Sequence, residues 1–123
     1  NVMYTKTIKK AENQMSFYYQ MNLPWPAKDR DLCLDMQITR EDKKTTVRLT
    51  SNPDLLEPDE DFIRIILVEG QWVITTIDDD NSVVEQQFLA DPEGSLPKWI
   101  VNMFLVDSPF QTMKNLRAYL KDK

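Results

Sequence analysis

The chain has 123 residues, enough for one compact domain with one modest core, and a hydrophobic content of 41% with three tryptophans marks a sequence that folds. Twenty acidic against 15 basic residues leave a net charge of −5, which argues against a nucleic-acid backbone as partner and against a permanent place on anionic membrane. Histidine is absent and glycine occurs only twice, so His-based triads, His-ligated metal sites and phosphate-cradling glycine loops are excluded within this chain.

The single cysteine, Cys33, has no partner for an internal disulfide and is expected to pack as a small apolar residue. No run of about 18 apolar residues encodes a membrane span, and the first residues show no signal-peptide pattern. The expectation is a soluble protein, with the cytoplasm favoured, organised as a single domain over residues 1–123. The start at Asn1 rather than at a methionine is what a segment of a longer polypeptide would show.

Val2 to Lys9 and Met15 to Asn22 read as a β-hairpin turning at Lys10-Ala11-Glu12-Asn13, with Tyr, Phe, Thr and Val supplying the strand preference. Two prolines in Leu23-Pro24-Trp25-Pro26 remove ladder donors, so the chain turns a corner there. Asp31 to Glu41 alternates: Leu32, Leu34, Met36 and Ile38 point to a buried face, and Asp31, Cys33, Asp35 and Gln37 to a mostly wet one. A charged turn at Glu41 to Lys44 returns into Thr45 to Ser51. An acidic loop, Asn52 to Glu60, carries Leu55 and Leu56 near its middle. Next come Phe62 to Val68 and Trp72 to Ile77, predicted as two strands reversing at Glu69-Gly70-Gln71, and then Ser82 to Ala90. The chain closes with a turn at Asp91-Pro92-Glu93-Gly94 and a long helix. Along it Leu96, Trp99, Ile100, Met103 and Phe104 share one face, while Phe110, Met113, Leu116 and Leu120 fall on a rotated one. Ser108 and Pro109 place a kink or short break between the two. An antiparallel meander of six or seven strands followed by a helix is an α+β fold.

Candidate chemistry is thin. Asp78, Asp79 and Asp80 could hold calcium, but the alternating acidic pattern of a calcium loop is missing and the ordinary reading is a solvated hairpin turn. Asp29, Arg30 and Asp31 read as a corner salt bridge or, less simply, a charge relay. Arg64, set among apolar strand residues, needs a partner: a structural ion pair or a ligand's polar end. Leu34, Met36, Ile38, Ile65, Leu67, Ile74, Trp99, Met103, Phe104, Phe110 and Met113 serve equally as a filled core or as the lining of an apolar pocket, and the six methionines suit a surface that accommodates varied apolar shapes.

Two stretches carry a resemblance. Pro24-Trp25-Pro26 followed by Asp29-Arg30-Asp31, and Asp91-Pro92-Glu93-Gly94-Ser95-Leu96-Pro97-Lys98-Trp99-Ile100-Val101-Asn102, are similar to the lipid-binding START domains related to steroidogenic acute regulatory protein. The likeness spans the whole chain. It implies the helix-grip fold, a curved antiparallel sheet around a long C-terminal helix, with an apolar tunnel for one lipid or sterol. Leu32, Leu34 and Met36 would face the tunnel, Leu55 and Leu56 would border its mouth, and Trp99 to Met113 would form its lid. Met36 stands where sterol-binding relatives can carry a basic residue. The family domain is also longer at its front.

The resulting expectation is a non-enzymatic module with no cofactor, metal or catalytic residue. It would bind, and in some settings transfer, a lipid or small hydrophobic ligand, with at most transient membrane contact. It would pair with a second copy or with the absent front segment. The competing readings are an enzyme on the same scaffold, in which Tyr18, Tyr19 or Arg64 converge in the pocket, and an interaction domain whose interior is filled.

Overall fold

The computed structural model describes residues 2–121. It divides into two compact units, one running to Glu93 and the other beginning at Gly94.

The first unit is a sheet. Its strands are β1 (Val2–Lys10), β2 (Gln14–Met21), β3 (Arg30–Arg40), β4 (Lys44–Ser51), β5 (Ile63–Arg64), β6 (Leu67–Thr76) and β7 (Ser82–Asp91). The spatial order is β1-β2-β3-β4-β6-β7, every pair antiparallel, while the two-residue β5 lies parallel to the start of β3. β1 and β7 form the two edges. The first two hairpins turn where the sequence places them: Ala11 N–H bonds Gln14 O at 2.8 Å and Glu41 N–H bonds Lys44 O at 2.8 Å. At the acidic turn after β6, the Asp78 carboxylate accepts from Asp80 N–H at 2.9 Å and from the Asn81 amide, and the Asp80 contact holds its carboxyl below the usual carboxylate range. This is a hairpin turn. Among the described residues, no group of three or more His, Cys, Asp or Glu side chains converges on a metal position.

The expected reversal at Glu69-Gly70-Gln71 does not occur. β6 runs unbroken through Gly70, which faces Leu49 on one side and Phe88 on the other, and the interruption falls at Ile65-Ile66 instead, between β5 and β6, which run in the same direction. A glycine bounded by Glu and Gln mimics a turn signal, but pairing on both sides overrides it. The backbone at Gly70 is ordinary, and an added Cβ would meet Gln87 O at 3.5 Å and Leu49 Cδ1 at 3.6 Å, normal contact distances. Glycine inside a strand is less stable than alanine by roughly 0.5–1 kcal/mol. Gly70→Ala is therefore expected to raise the unfolding free energy by about that increment, read as a higher urea midpoint. A lowered midpoint would show that the position is more tightly packed than these distances imply.

The second unit is helical: α1 (Lys98–Asn102), a π-helical turn over Met103–Asp107, and α2 (Ser108–Lys121). Sequence periodicity points to a kink near Ser108-Pro109; the structure shows a wider turn instead. Ser108 N–H bonds the carbonyl of Met103, five residues back, and Pro109 has no N–H to continue an α pattern. The extra residue in that turn accounts for the rotation between the apolar sets before and after it. Two consecutive left-handed residues, Glu93 (φ 63°) and Gly94 (φ 78°), precede the helix. No helix is long and apolar enough to cross a membrane among the described residues.

Candidate functional site

Directly opposed residues on antiparallel strands share a face, so the register sorts the side chains. Phe17, Leu34 and Ser51 line up in one row, with Val68 and Ala90 paired on the same face. The next row is Met15, Met36, Leu49, Gly70 and Phe88, and the one after is Ile38, Val47, Trp72 and Gln86. Arg40, Thr45, Ile74 and Val84 close the face at its far end. This is an apolar wall with graded exposure. Leu32, Leu34, Val68 and Ala90 are buried, whereas Met36, Ile38, Val47, Leu49 and Trp72 are half-buried and Phe88 is exposed.

The opposite face is mostly polar, carrying Ser16, Tyr18, Asp35, Gln37, Arg48, Thr50, Glu69, Gln71 and Gln87, with Leu67, Val83 and Leu89 exposed at its β6 and β7 side. It holds open grooves, one of about 460 Å³ around Arg48, Glu69 and Gln87 and one of about 440 Å³ around Ser16, Asp35, Asn52 and Leu55.

Of the residues singled out from sequence, Leu32, Leu34, Met36, Ile38 and Ile74 lie together on the apolar wall. Ile65 is fully buried between β5 and β6, its N–H bonded to Asp31 O at 2.9 Å. Leu67 alternates with Val68 and so falls on the opposite face, 39% exposed; its inclusion with the wall came from reading Phe62 to Val68 as one strand. Leu55 and Leu56 are half-buried in the loop, with Leu55 at the polar-face groove. In the helical unit Trp99 and Phe110 are exposed, while Met103, Phe104 and Met113 are half-buried. The sequence reasoning missed Phe17, Val47, Leu49, Trp72 and Phe88. The alternation within β2, β4, β6 and β7 carried the signal, once the false turn at Gly70 is removed.

The start of β3 departs from simple alternation. Arg30 through Leu34 are all buried, and Asp31 and Cys33, expected on the wet face, have no exposed surface. Residues 52–65 return across that end: Asn52 N–H bonds Cys33 O at 2.8 Å, and burial pushes the Cys33 thiol pKa up.

Two arginines fasten this region, Arg30 buried and Arg64 half-buried. Arg64 donates from Nε to Asp31 Oδ1 at 2.7 Å and from Nη2 to Asp31 Oδ2 at 3.0 Å. It also donates to the carbonyls of Pro53 (2.8 Å), Leu56 (2.9 Å) and Glu57 (3.1 Å). All five guanidinium donors are thereby used, and the bond to Asp31 raises the Arg64 pKa further. Tyr18 Oη donates to Asp31 Oδ2 at 2.8 Å, and burial raises the Tyr18 pKa. Arg30 donates to Pro92 O at 2.9 Å, to Glu93 O at 2.7 Å and to Lys28 O, tying the turn after β7 to the start of β3; burial lowers its pKa. Asp29 accepts instead from Leu23 N–H at 3.2 Å. The Asp29-Arg30-Asp31 triplet therefore makes three separate anchors, and the expected salt bridge within the corner does not form.

The polar groups of the enzyme reading do not converge. Tyr18 and Arg64 meet through Asp31 on the polar side, while Tyr19 stands on the apolar face opposite Leu32, its pKa raised by burial.

No family model matches the chain. A solved STAR-related lipid transfer protein from Xanthomonas axonopodis superimposes with a TM-score of 0.82 at 31% identity, covering 98% of this chain and 68% of that one. The chain belongs to the START family. Human START domain-containing protein 10 is 28% identical over 108 residues, covering 85% of this chain, and its solved structure gives a TM-score of 0.77 at 26% identity. An uncharacterized protein of Pseudomonas aeruginosa is 28% identical over 114 residues. This START chain spans 56% of that bacterial relative and 36% of the human one. Its antiparallel sheet followed by a C-terminal helix matches the helix-grip fold of those neighbours.

Proposed function

We propose that this START chain is a non-enzymatic lipid-binding module, and that the apolar sheet face takes up the tail of a lipid or other hydrophobic ligand. The observation that carries the reading is the half-exposed wall running from Met36 through Leu49 and Trp72 to Phe88 on one face of the sheet. Covering it with hydrocarbon is favourable by roughly 25 cal/mol per Å² removed from water, or about 2.5 kcal/mol for each 100 Å². The likeness to a protein named for lipid transfer supports the same reading. The polar groups support it in another way: Arg64 is fully engaged and Tyr18 is held by Asp31, so neither is free for catalysis.

Native mass spectrometry of the chain purified from the expressing cell tests the proposal. The expected result is a bound lipid, released on denaturation and replaceable by a fluorescent acyl probe that the protein shields from water. Protein that carries no lipid and shields no probe would overturn it.

A further inference from the structure

At its β7 edge the wall carries a polar side chain, Gln86, that no side chain among the described residues hydrogen-bonds. Gln86 pairs with Trp72 across β6 and β7, in the row that continues through Val47 to Ile38, and so sits on the apolar face among apolar neighbours. It is half-buried, and its amide makes no side-chain hydrogen bond among the described residues. An amide held against apolar surface gains from a hydrogen-bonding partner, and covering it with pure hydrocarbon would carry a desolvation cost. Ser51, the other polar residue on the inner part of the face, is already satisfied: its Oγ donates to Ile66 O at 2.7 Å and accepts from Val68 N–H at 3.0 Å.

Charge is absent from the same field. Between β2 and β7 the rows through Leu34, Met36 and Ile38 contain no ionisable side chain. Lys10 and Arg40 stand only at the rim, both exposed. Arg30, at the opposite end, spends its guanidinium on three backbone carbonyls. A phosphate or carboxylate brought onto this wall would be desolvated with no counter-charge from the sheet rows beside it, whereas an ester, amide or hydroxyl would meet the Gln86 amide, which both donates and accepts.

We infer that the ligand is a neutral lipid, one whose polar end is uncharged and carries ester or hydroxyl groups, and that Gln86 is the side chain that hydrogen-bonds it. This rests on the lipid-binding reading above and narrows it to a ligand class. Specificity follows the rule that a site with an unpaired polar group discriminates by hydrogen bonding, while apolar contacts discriminate weakly.

The test uses a matched pair of probes, dioleoylglycerol and dioleoyl phosphatidate, which share their acyl chains and differ by one phosphate. Binding to the chain is measured by displacement of a fluorescent acyl probe. Dioleoylglycerol is expected to bind at least tenfold more tightly. Gln86→Leu is expected to weaken dioleoylglycerol about fivefold and to tighten binding of a dialkyl hydrocarbon probe, which no longer desolvates the amide; Gln86→Glu is expected to weaken dioleoylglycerol more. Gln86 lies on edge strand β7, and circular dichroism confirms that each variant folds. Equal or tighter binding of phosphatidate, or unchanged dioleoylglycerol binding by Gln86→Leu, overturns the inference and leaves the lipid-binding reading standing. Failure of the fluorescent acyl probe itself to bind overturns both.

Discussion

Replacing Arg64 with alanine is expected to lower the unfolding free energy by about 3–5 kcal/mol, because it strands the Asp31 carboxylate without a counter-charge where its side chain is only 1% exposed. The loss should appear as a fall in the urea midpoint with little change in slope. Removing both charges together is the informative comparison. In Asp31→Leu/Arg64→Met neither charge is orphaned, so the double variant should be more stable than Arg64→Ala, and the two sites should couple by more than about 1 kcal/mol in a double-mutant cycle. The double variant still lacks the three bonds from Arg64 to Pro53, Leu56 and Glu57. Its amide exchange should therefore quicken across residues 52–60 and stay slow in β3 and β6. Additive effects of the two single changes would show that the pair is not the anchor its geometry describes, and unchanged exchange across the loop would show that the carbonyl contacts do not hold it.

The legible part of this fold was the part written in local pattern. Strict alternation in Leu32 to Ile38 placed β3 and its apolar face, and turn residues flanked by charge placed three hairpins within a residue or two. The family-like stretches at Pro24-Trp25-Pro26 and Asp91 to Asn102 gave the architecture before any coordinate. What alternation could not show was cover from elsewhere in the chain. Asp31 and Cys33 read as wet because their own strand says so, yet the return of residues 52–65 buries them; that return is a long-range event, directed by an Arg64–Asp31 pair whose members are 33 positions apart. Gly70 failed for the related reason that a glycine's freedom favours a turn only until two neighbouring strands pair with it. Phe62 to Val68 was the converse case, an apolar run long enough for a strand but divided between β5, a buried Ile65 and the first residues of β6. For the candidate site, β3 yielded its own wall residues, while Leu49, Trp72 and Phe88 emerged only with the register.

Inserting a carboxylate into the centre of the apolar wall should abolish lipid binding while leaving the fold intact. Leu49 lies between Met36 and Gly70 in the middle row and is half-buried, so in Leu49→Glu the new charge keeps enough contact with water for the free protein to fold. A hydrocarbon tail laid over the wall would strip that water away. Burying a carboxylate with no partner costs at least a few kcal/mol even after relaxation, and each 1.4 kcal/mol is tenfold in affinity, so the loss should exceed about a hundredfold. The control carries the same charge on the other side of the sheet. Gln87→Glu places its carboxylate on the polar face, next to Gln71 with which it pairs, and should bind the fluorescent acyl probe like the parent. The two variants have the same net charge and each gains one carboxylate, so a difference between them isolates the face. If Leu49→Glu retains binding while circular dichroism shows it folded, or if Gln87→Glu loses binding to the same extent, the ligand does not lie on the wall. An intact control beside a failed Leu49→Glu would instead locate the tail against the rows through Met36, Leu49 and Trp72.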